Sequence, residues 1–151
     1  MLVKLTKDQV ANYWPLIKQL LDAVDLPLTR GDKNKRNKVV LRRLLIEDMI
    51  CWAITRQDPE TLTASLQGFF ITSEVTHEVG YDYLYIDFYM TLPDADITGK
   101  EFVGVTDTLI EYATNKGYDA VLAHSNVPRV INLAEKFGAD SSFRVLMWDL
   151  K

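Results

Sequence analysis

The spacing of apolar residues changes period twice along this chain. From Val10 to Val24 they recur every three or four residues (Val10, Tyr13, Trp14, Ile17, Leu20, Leu21 and Val24), the period of an amphipathic helix. Thr6-Lys7-Asp8-Gln9 precedes them as a capping box, with Gln9 able to reach back to the Thr6 amide. Pro15 falls inside this pattern and predicts a kink or a split near Trp14. A second helix is predicted after Asp32, with Val39, Val40, Leu44 and Leu45 as its apolar stripe and its basic residues outward. The middle third then reads as strands. Met49 to Thr55 is apolar and rich in β-formers, Gln57-Asp58-Pro59-Glu60 is a turn, and Ala64 to Val75 is built on Leu66, Phe69, Phe70 and Ile71. After a turn at Gly80, Tyr81 to Leu92 alternates. Tyr83, Tyr85, Asp87 and Tyr89 are expected on one face and Leu84, Ile86, Phe88 and Met90 on the other.

The last third returns to helical spacing. Phe102, Thr106, Leu109, Ile110 and Ala113 mark one helix, which Gly117 ends. Tyr118 to His124 is a short strand around Val121 and Leu122, apolar on both faces as a covered central strand is. Val130, Leu133, Ala134 and Phe137 give a short helix stopped by Gly138, and Phe143 to Leu150 reads as a final strand. The prediction is one mixed α/β domain over residues 1–151. Its sheet is an antiparallel meander followed by β-α-β-α-β, with helices on both faces.

Composition adds bounds. The chain is 48% hydrophobic and 25% charged, which is ordinary for a globular domain. Cys51 is the only cysteine, so no disulfide forms within the chain, and its Ile50-Cys51-Trp52 setting predicts a buried, inert thiol. The first residues have no basic stretch followed by an apolar one, and no run approaches the roughly 20 residues of a membrane span. The expectation is a cytoplasmic protein with no membrane partner. Charge is uneven: Arg30 to Arg43 holds seven basic residues and one acid in a chain of net charge −4. That segment is either a solvated helix face or the contact for an acidic partner.

Gly99 to Gly138 carries a further pattern. A loop, Thr98-Gly99-Lys100-Glu101-Phe102, opens a helix ending in Tyr112-Ala113-Thr114-Asn115-Lys116-Gly117. The strand to His124 follows, then Ser125-Asn126-Val127-Pro128-Arg129 and the last helix. This order resembles the acyl-coenzyme A half of the GNAT N-acetyltransferase superfamily, and with the elements before it the resemblance spans nearly the whole chain. It implies a gap between the Tyr81–Leu92 and Tyr118–His124 strands, with acetyl-coenzyme A as cofactor lying in it. A strand amide near Met90, Thr91 or Leu92 would polarise the acyl carbonyl. The loop from Asp96 through Ile97, Thr98, Gly99, Lys100, Glu101 and Phe102 would hold the pyrophosphate on its amides, and Asn126 and Arg129 would contact the cofactor. The resemblance implies an amine as acceptor.

The family's loop signature is Gln or Arg, two residues, Gly, one residue, then Gly or Ala. Counted back from the helix end, those positions are Ile97, Lys100 and Phe102, and none matches. Gly99 lies one residue early; a tight turn or nest there would call for positive φ. The tyrosine that often protonates the departing thiolate falls at Ala134. Asp87 is the candidate catalytic base, since burial in an apolar strand would raise its pKa. Its alternatives are a structural carboxylate held by tyrosine hydroxyls, or a carboxylate on a solvent-exposed face. His124 reads as a strand-end or cleft residue, and Ser125 or Asn126 as a cap for the last helix. Trp14-Pro15-Leu16-Ile17 is similar to the first helix of small GNAT-like proteins of tailed phages, which would place the chain in the host cytoplasm or the virion. Two functions stand: an acyl-coenzyme A-dependent N-acetyltransferase, or a catalytically inactive GNAT-fold binding or virion-associated protein. A homodimer is compatible with either.

Overall fold

In the computed structural model, residues 1–24, 31–142 and 148 are described. Five strands lie in chain order in one sheet: β1 (Leu2–Lys4), β2 (Ile50–Gln57), β3 (Ala64–Thr76), β4 (Asp82–Thr91) and β5 (Ala120–Ala123). The first four pair antiparallel and β5 joins β4 in parallel. A parallel neighbour needs a crossover, and α3 (Gly99–Lys116) supplies it. The other helices are α1 (Lys7–Ala23), α2 (Lys33–Leu45) and α4 (Pro128–Lys136). The mixed α/β fold is therefore the expected one. β1 is an addition: three residues are too few to show an alternation, and Leu2 earns its place by pairing opposite Ile54 at the sheet edge.

Alternate residues of each strand enter two cores. Cys51, Ala53, Phe69 and Ile71 pack with Val10, Ile17 and Leu21 of α1 and Val40 and Leu44 of α2. Ile50, Trp52, Ile54 and Phe70 pack with Val105, Leu109 and Ala113 of α3. The Trp52 indole N–H donates to Thr72 Oγ1 at 2.9 Å, so its one polar atom is satisfied inside the second core. Burial leaves the Cys51 thiol inert, with its pKa pushed up to about 12.

Three local expectations change. Pro15 does not split α1, which runs in one piece from its Thr6–Gln9 capping box. The inward residues of α2 are Asn37, Val40 and Leu44, while Val39 and Leu45 are exposed. Its basic residues do not all face outward. Arg36 Nη2 donates to Leu21 O at 2.5 Å and Lys33 Nζ to Asp22 O at 2.6 Å, and Asn37 Nδ2 donates to Asp22 Oδ1 at 2.6 Å. The last turn of α1 has no basic residue of its own, so α2 supplies cations to its end carbonyl oxygens, of which Leu21 O also accepts the Val24 amide at 3.0 Å.

At the other edge, Leu122 in β5 is exposed and no residue of α4 is fully buried. Apolar spacing identifies a side of an element but not whether a neighbour covers it. The predicted strand at residues 143–150 lies outside the described residues except for Trp148, as does Arg30.

Candidate active site

β4 and β5 pair over only four rungs, from Tyr83 opposite Ala120 to Ile86 opposite Ala123. Beyond them β4 continues from Asp87 to Thr91 without β5 beside it, while the chain after Ala123 leaves toward α4. The strands are thus neighbours that part at one end, forming a wedge. The β3–β4 register shifts at the same place. Ile71 faces Phe88 and Thr72 faces Ile86, so Asp87 has no residue opposite it. It is a β-bulge, which bends a strand and re-aims its side chains.

The bulge overturns the expected alternation of β4. Leu84, Ile86 and Tyr89 pack on the α3 side, whereas Phe88 and Met90 pack on the α1–α2 side. Tyr89 therefore does not share a face with Tyr83 and Tyr85. The bulge also fixes which backbone groups reach the wedge. Leu92 N donates to Gln67 O of β3 at 2.8 Å. Successive residues point their amides to opposite edges, so Met90 also faces β3, and Tyr89 and Thr91 present theirs to the wedge. Of the amides expected from Met90–Leu92, those of Met90 and Leu92 turn to β3, and Thr91 turns to the wedge together with Tyr89.

Asp87 is half-buried at the split. Its Oδ2 is shut off from solvent and has no hydrogen-bond partner among the described residues. Burial pushes its pKa up, against a smaller opposing pull from the Ser73 hydroxyl and Arg43. No tyrosine hydroxyl holds it. The Tyr85 hydroxyl is hydrogen-bonded instead to Nδ1 of His124, whose ring stands edge-on 5.3 Å away. This bond ties β4 to the end of β5 at the last rungs before they part. Burial, then Asp87 and Tyr83, raises the Tyr85 pKa. Sequence spacing places His124 at a strand end, but only the parallel register brings it to Tyr85.

The start of α3 borders the far end of this wedge. Glu101 N donates to Thr98 Oγ1 at 3.2 Å, and Glu101 Oε2 accepts from both Thr98 N and Thr98 Oγ1 at 2.9 Å. Arg56 of β2 clamps the same carboxylate, Nε to Oε1 at 2.5 Å and Nη2 to Oε2 at 2.8 Å, and its Nη2 also donates to Asp96 O at 2.7 Å. The Arg56 hydrogen bond, followed by those of Thr98, holds the Glu101 carboxyl down at about 2. Phe102 N donates to Thr98 O. Among the described residues, the amides of Gly99 and Lys100 have no intramolecular acceptor, unlike those of Thr98, Glu101 and Phe102.

This end does not fit a pyrophosphate. The helix terminus already holds a fixed anion in Glu101, and the cation facing it is spent on that anion. Gly99 is an ordinary first helical residue without positive φ, and a Cβ there would meet only Leu133 Cδ2 at 3.5 Å, so it makes no anion nest. Phe102 stands edge-on to Tyr89 at 5.9 Å, and Tyr89 stacks on Phe70 at 4.7 Å. With Ile54, Ile97 and Val105 they leave no room for a water molecule.

The remaining candidates scatter. Arg129 Nη2 donates to Ile97 O at 3.3 Å, tying α4 to the loop before α3. Asn126 is exposed and caps nothing: the N-cap of α4 is Val127, and Ser125 Oγ accepts from its amide. Tyr112 and Tyr118 stand at the opposite end of the sheet. Tyr112 donates to Glu74 Oε1 at 3.2 Å, and the pKa of both hydroxyls is raised, chiefly by burial.

No protein-family model and no curated protein matches the chain. Solved structures do. A GNAT family acetyltransferase of Staphylococcus aureus is similar over 99% of this chain and 98% of its own, with 12% identity and a TM-score of 0.65. A ribosomal-protein-alanine N-acetyltransferase of Brucella melitensis is 15% identical over 99% of each chain, with a TM-score of 0.65. A predicted acetyltransferase of Clostridium acetobutylicum, solved with acetyl-CoA, is 14% identical over 99% of this chain and 96% of its own, with a TM-score of 0.66. The sheet order, the α3 crossover and the parted β4–β5 pair are those of the GNAT fold, and this chain has that fold.

Proposed function

We propose that the chain transfers an acyl group, acetyl in the simplest case, from a pantetheine-type thioester to an amine. The observation that carries this reading is Asp87. A bulge holds its unpartnered carboxylate oxygen where β4 loses its neighbour, just before the free edge of Tyr89 and Thr91. A buried acceptor without a donor is costly to keep and is met by a substrate N–H. Its raised pKa makes it a stronger base than an exposed aspartate. The amine gives its proton to Asp87 as its nitrogen attacks the acyl carbon. The amides of Tyr89 and Thr91 receive the developing oxyanion. That attack forms the C–N bond; the oxyanion then re-forms the carbonyl as the C–S bond breaks, and the sulfur leaves as thiolate, protonated from water since Ala134 offers no acid.

A second reading, a GNAT-fold binding module without transfer, is favoured by the closed start of α3. The two separate on one assay: acetyl-coenzyme A and a panel of primary amines, with release of free thiol measured. Amine-dependent release that disappears in Asp87→Asn supports transfer. None with the parent chain supports the module. An acidic partner on α2 narrows, in this proposal, to the exposed Lys35, Lys38 and Arg42.

A further inference from the structure

We propose that Glu101 and Arg56 make this cleft select its acyl donor by the pantetheine arm and not by the diphosphate. The inference rests on the acyl-transfer reading and names the part of the donor that the site grips. A diphosphate brings two or more negative charges and seeks free amides and unpaired cations. The start of α3 offers the reverse: a carboxylate takes the Thr98 amide, its own amide is turned onto the Thr98 hydroxyl, and it spends both donors of Arg56 that face it. An incoming diphosphate would have to displace Glu101 from three partners and then lie beside it. On the β4 edge that β5 leaves, the carbonyl oxygens of Tyr89 and Thr91 point the same way as their amides and suit the amide N–H groups of a pantetheine chain.

The chain carries its own control for this idea. α1 opens with the same capping box, built from Thr6 and Gln9, and there a neutral side chain serves: Gln9 Oε1 accepts the Thr6 amide at 2.9 Å. Capping alone thus does not require an acid at Glu101. The charge answers Arg56, and removing it turns a filled anion position into an empty one beside a guanidinium held only by Asp96 O. Glu101→Gln keeps the box and changes only that.

The experiment is a calorimetric titration of the full chain with coenzyme A, with pantetheine and with inorganic pyrophosphate, for the parent and for Glu101→Gln. The parent is expected to bind coenzyme A and pantetheine within about threefold of each other, and pyrophosphate not at all. Glu101→Gln is expected to bind coenzyme A about tenfold tighter, to gain pyrophosphate binding and to leave pantetheine unchanged. A parent that prefers coenzyme A to pantetheine by about tenfold or more overturns the proposal, and this comparison needs no variant to fold. So does a Glu101→Gln chain in which that ratio is unmoved. If the parent binds neither thiol, the acyl-transfer reading fails separately. Pyrophosphate then decides the role of Glu101: a gain in Glu101→Gln supports it and no gain overturns it.

Discussion

Asp87 and Glu101 are two acids at the two ends of one cleft, and their surroundings drive them apart. Asp87 sits on a bulge with a buried, unpartnered oxygen, and burial raises its pKa. Glu101 is exposed enough to be hydrated, yet Arg56 and Thr98 hold its pKa at about 2. Two carboxyl groups whose environments push them in opposite directions take opposite roles. In the proposed reaction the first accepts the proton. The other is a permanent anion that locks a helix start and denies the place to other anions. The fold is shared with acetyltransferases, but fold does not fix function. Within this fold, the wedge keeps the chemistry open while the helix end closes it.

The largest effect is expected from breaking the open end through its support. Gly68 lies opposite Thr91, and a Cβ there would come within 2.2 Å of Met90 O and 2.9 Å of Thr91 Cα. Both are backbone atoms with no freedom to yield. Gly68→Ala should cost about 3 kcal/mol or more, read by chemical denaturation, since overpacking against backbone has no cheap relief. Parent-like stability would mean that β3 and β4 are not packed this closely behind the wedge. Next is Asp87→Asn, expected to lower amine-dependent thiol release by about 100-fold, an ordinary share for a general base. Stability should stay level or rise, because the neutral amide avoids burying a charge. The parent's acid limb in the pH–rate profile should disappear with it. A variant that keeps both the rate and that limb would show Asp87 to be structural.

Sequence spacing revealed most of the fold because it depends on period: the amphipathic runs of α1 and α3, the three long strands and the Gly117 stop all repeat or punctuate visibly. The site was legible in part. Asp87 stood out as an acid in an apolar strand, but its bulge is a matter of cross-strand register that no local period records. The reversal of Tyr89 and the choice of Tyr89 and Thr91 amides follow from that one inserted residue. Glu101 could be read as a cap because Thr98 precedes it by three. That Arg56, 45 positions away, completes the lock depends on the sheet bringing β2 beside α3.

A smaller effect sharpens the comparison through pH. Glu101 titrates lower in the folded chain than its ordinary 4.5, so its contribution to stability is full above about 4.5 and fades as pH falls toward 2. Asp87 runs the other way. Its folded pKa is raised from 3.8, so its contribution is present below that value and is lost as pH rises through the folded pKa. Thermal midpoints measured from pH 2 to 7 should therefore show Glu101→Gln flattening the acid-side loss, and Asp87→Asn removing a loss on the way up. The same change of slope in both variants would remove the contrast between the two acids.

The smallest effect tests whether α2 has a similar division between locked and free charge. Arg36 and Lys33 are committed to the last carbonyl oxygens of α1, while Lys35, Lys38 and Arg42 are exposed. Arg36→Gln should cost about 1 kcal/mol, because it removes a partly buried charge-assisted hydrogen bond and leaves Leu21 O with the Val24 amide alone. Lys35, Lys38 and Arg42 changed together to Gln should stay within about 0.5 kcal/mol of the parent, as surface substitutions away from special contacts do. Denaturant midpoints at low and high salt decide it. A triple variant that loses more than Arg36→Gln would place those three cations in the structure, and the outer face of α2 would then have no charge left to offer a partner.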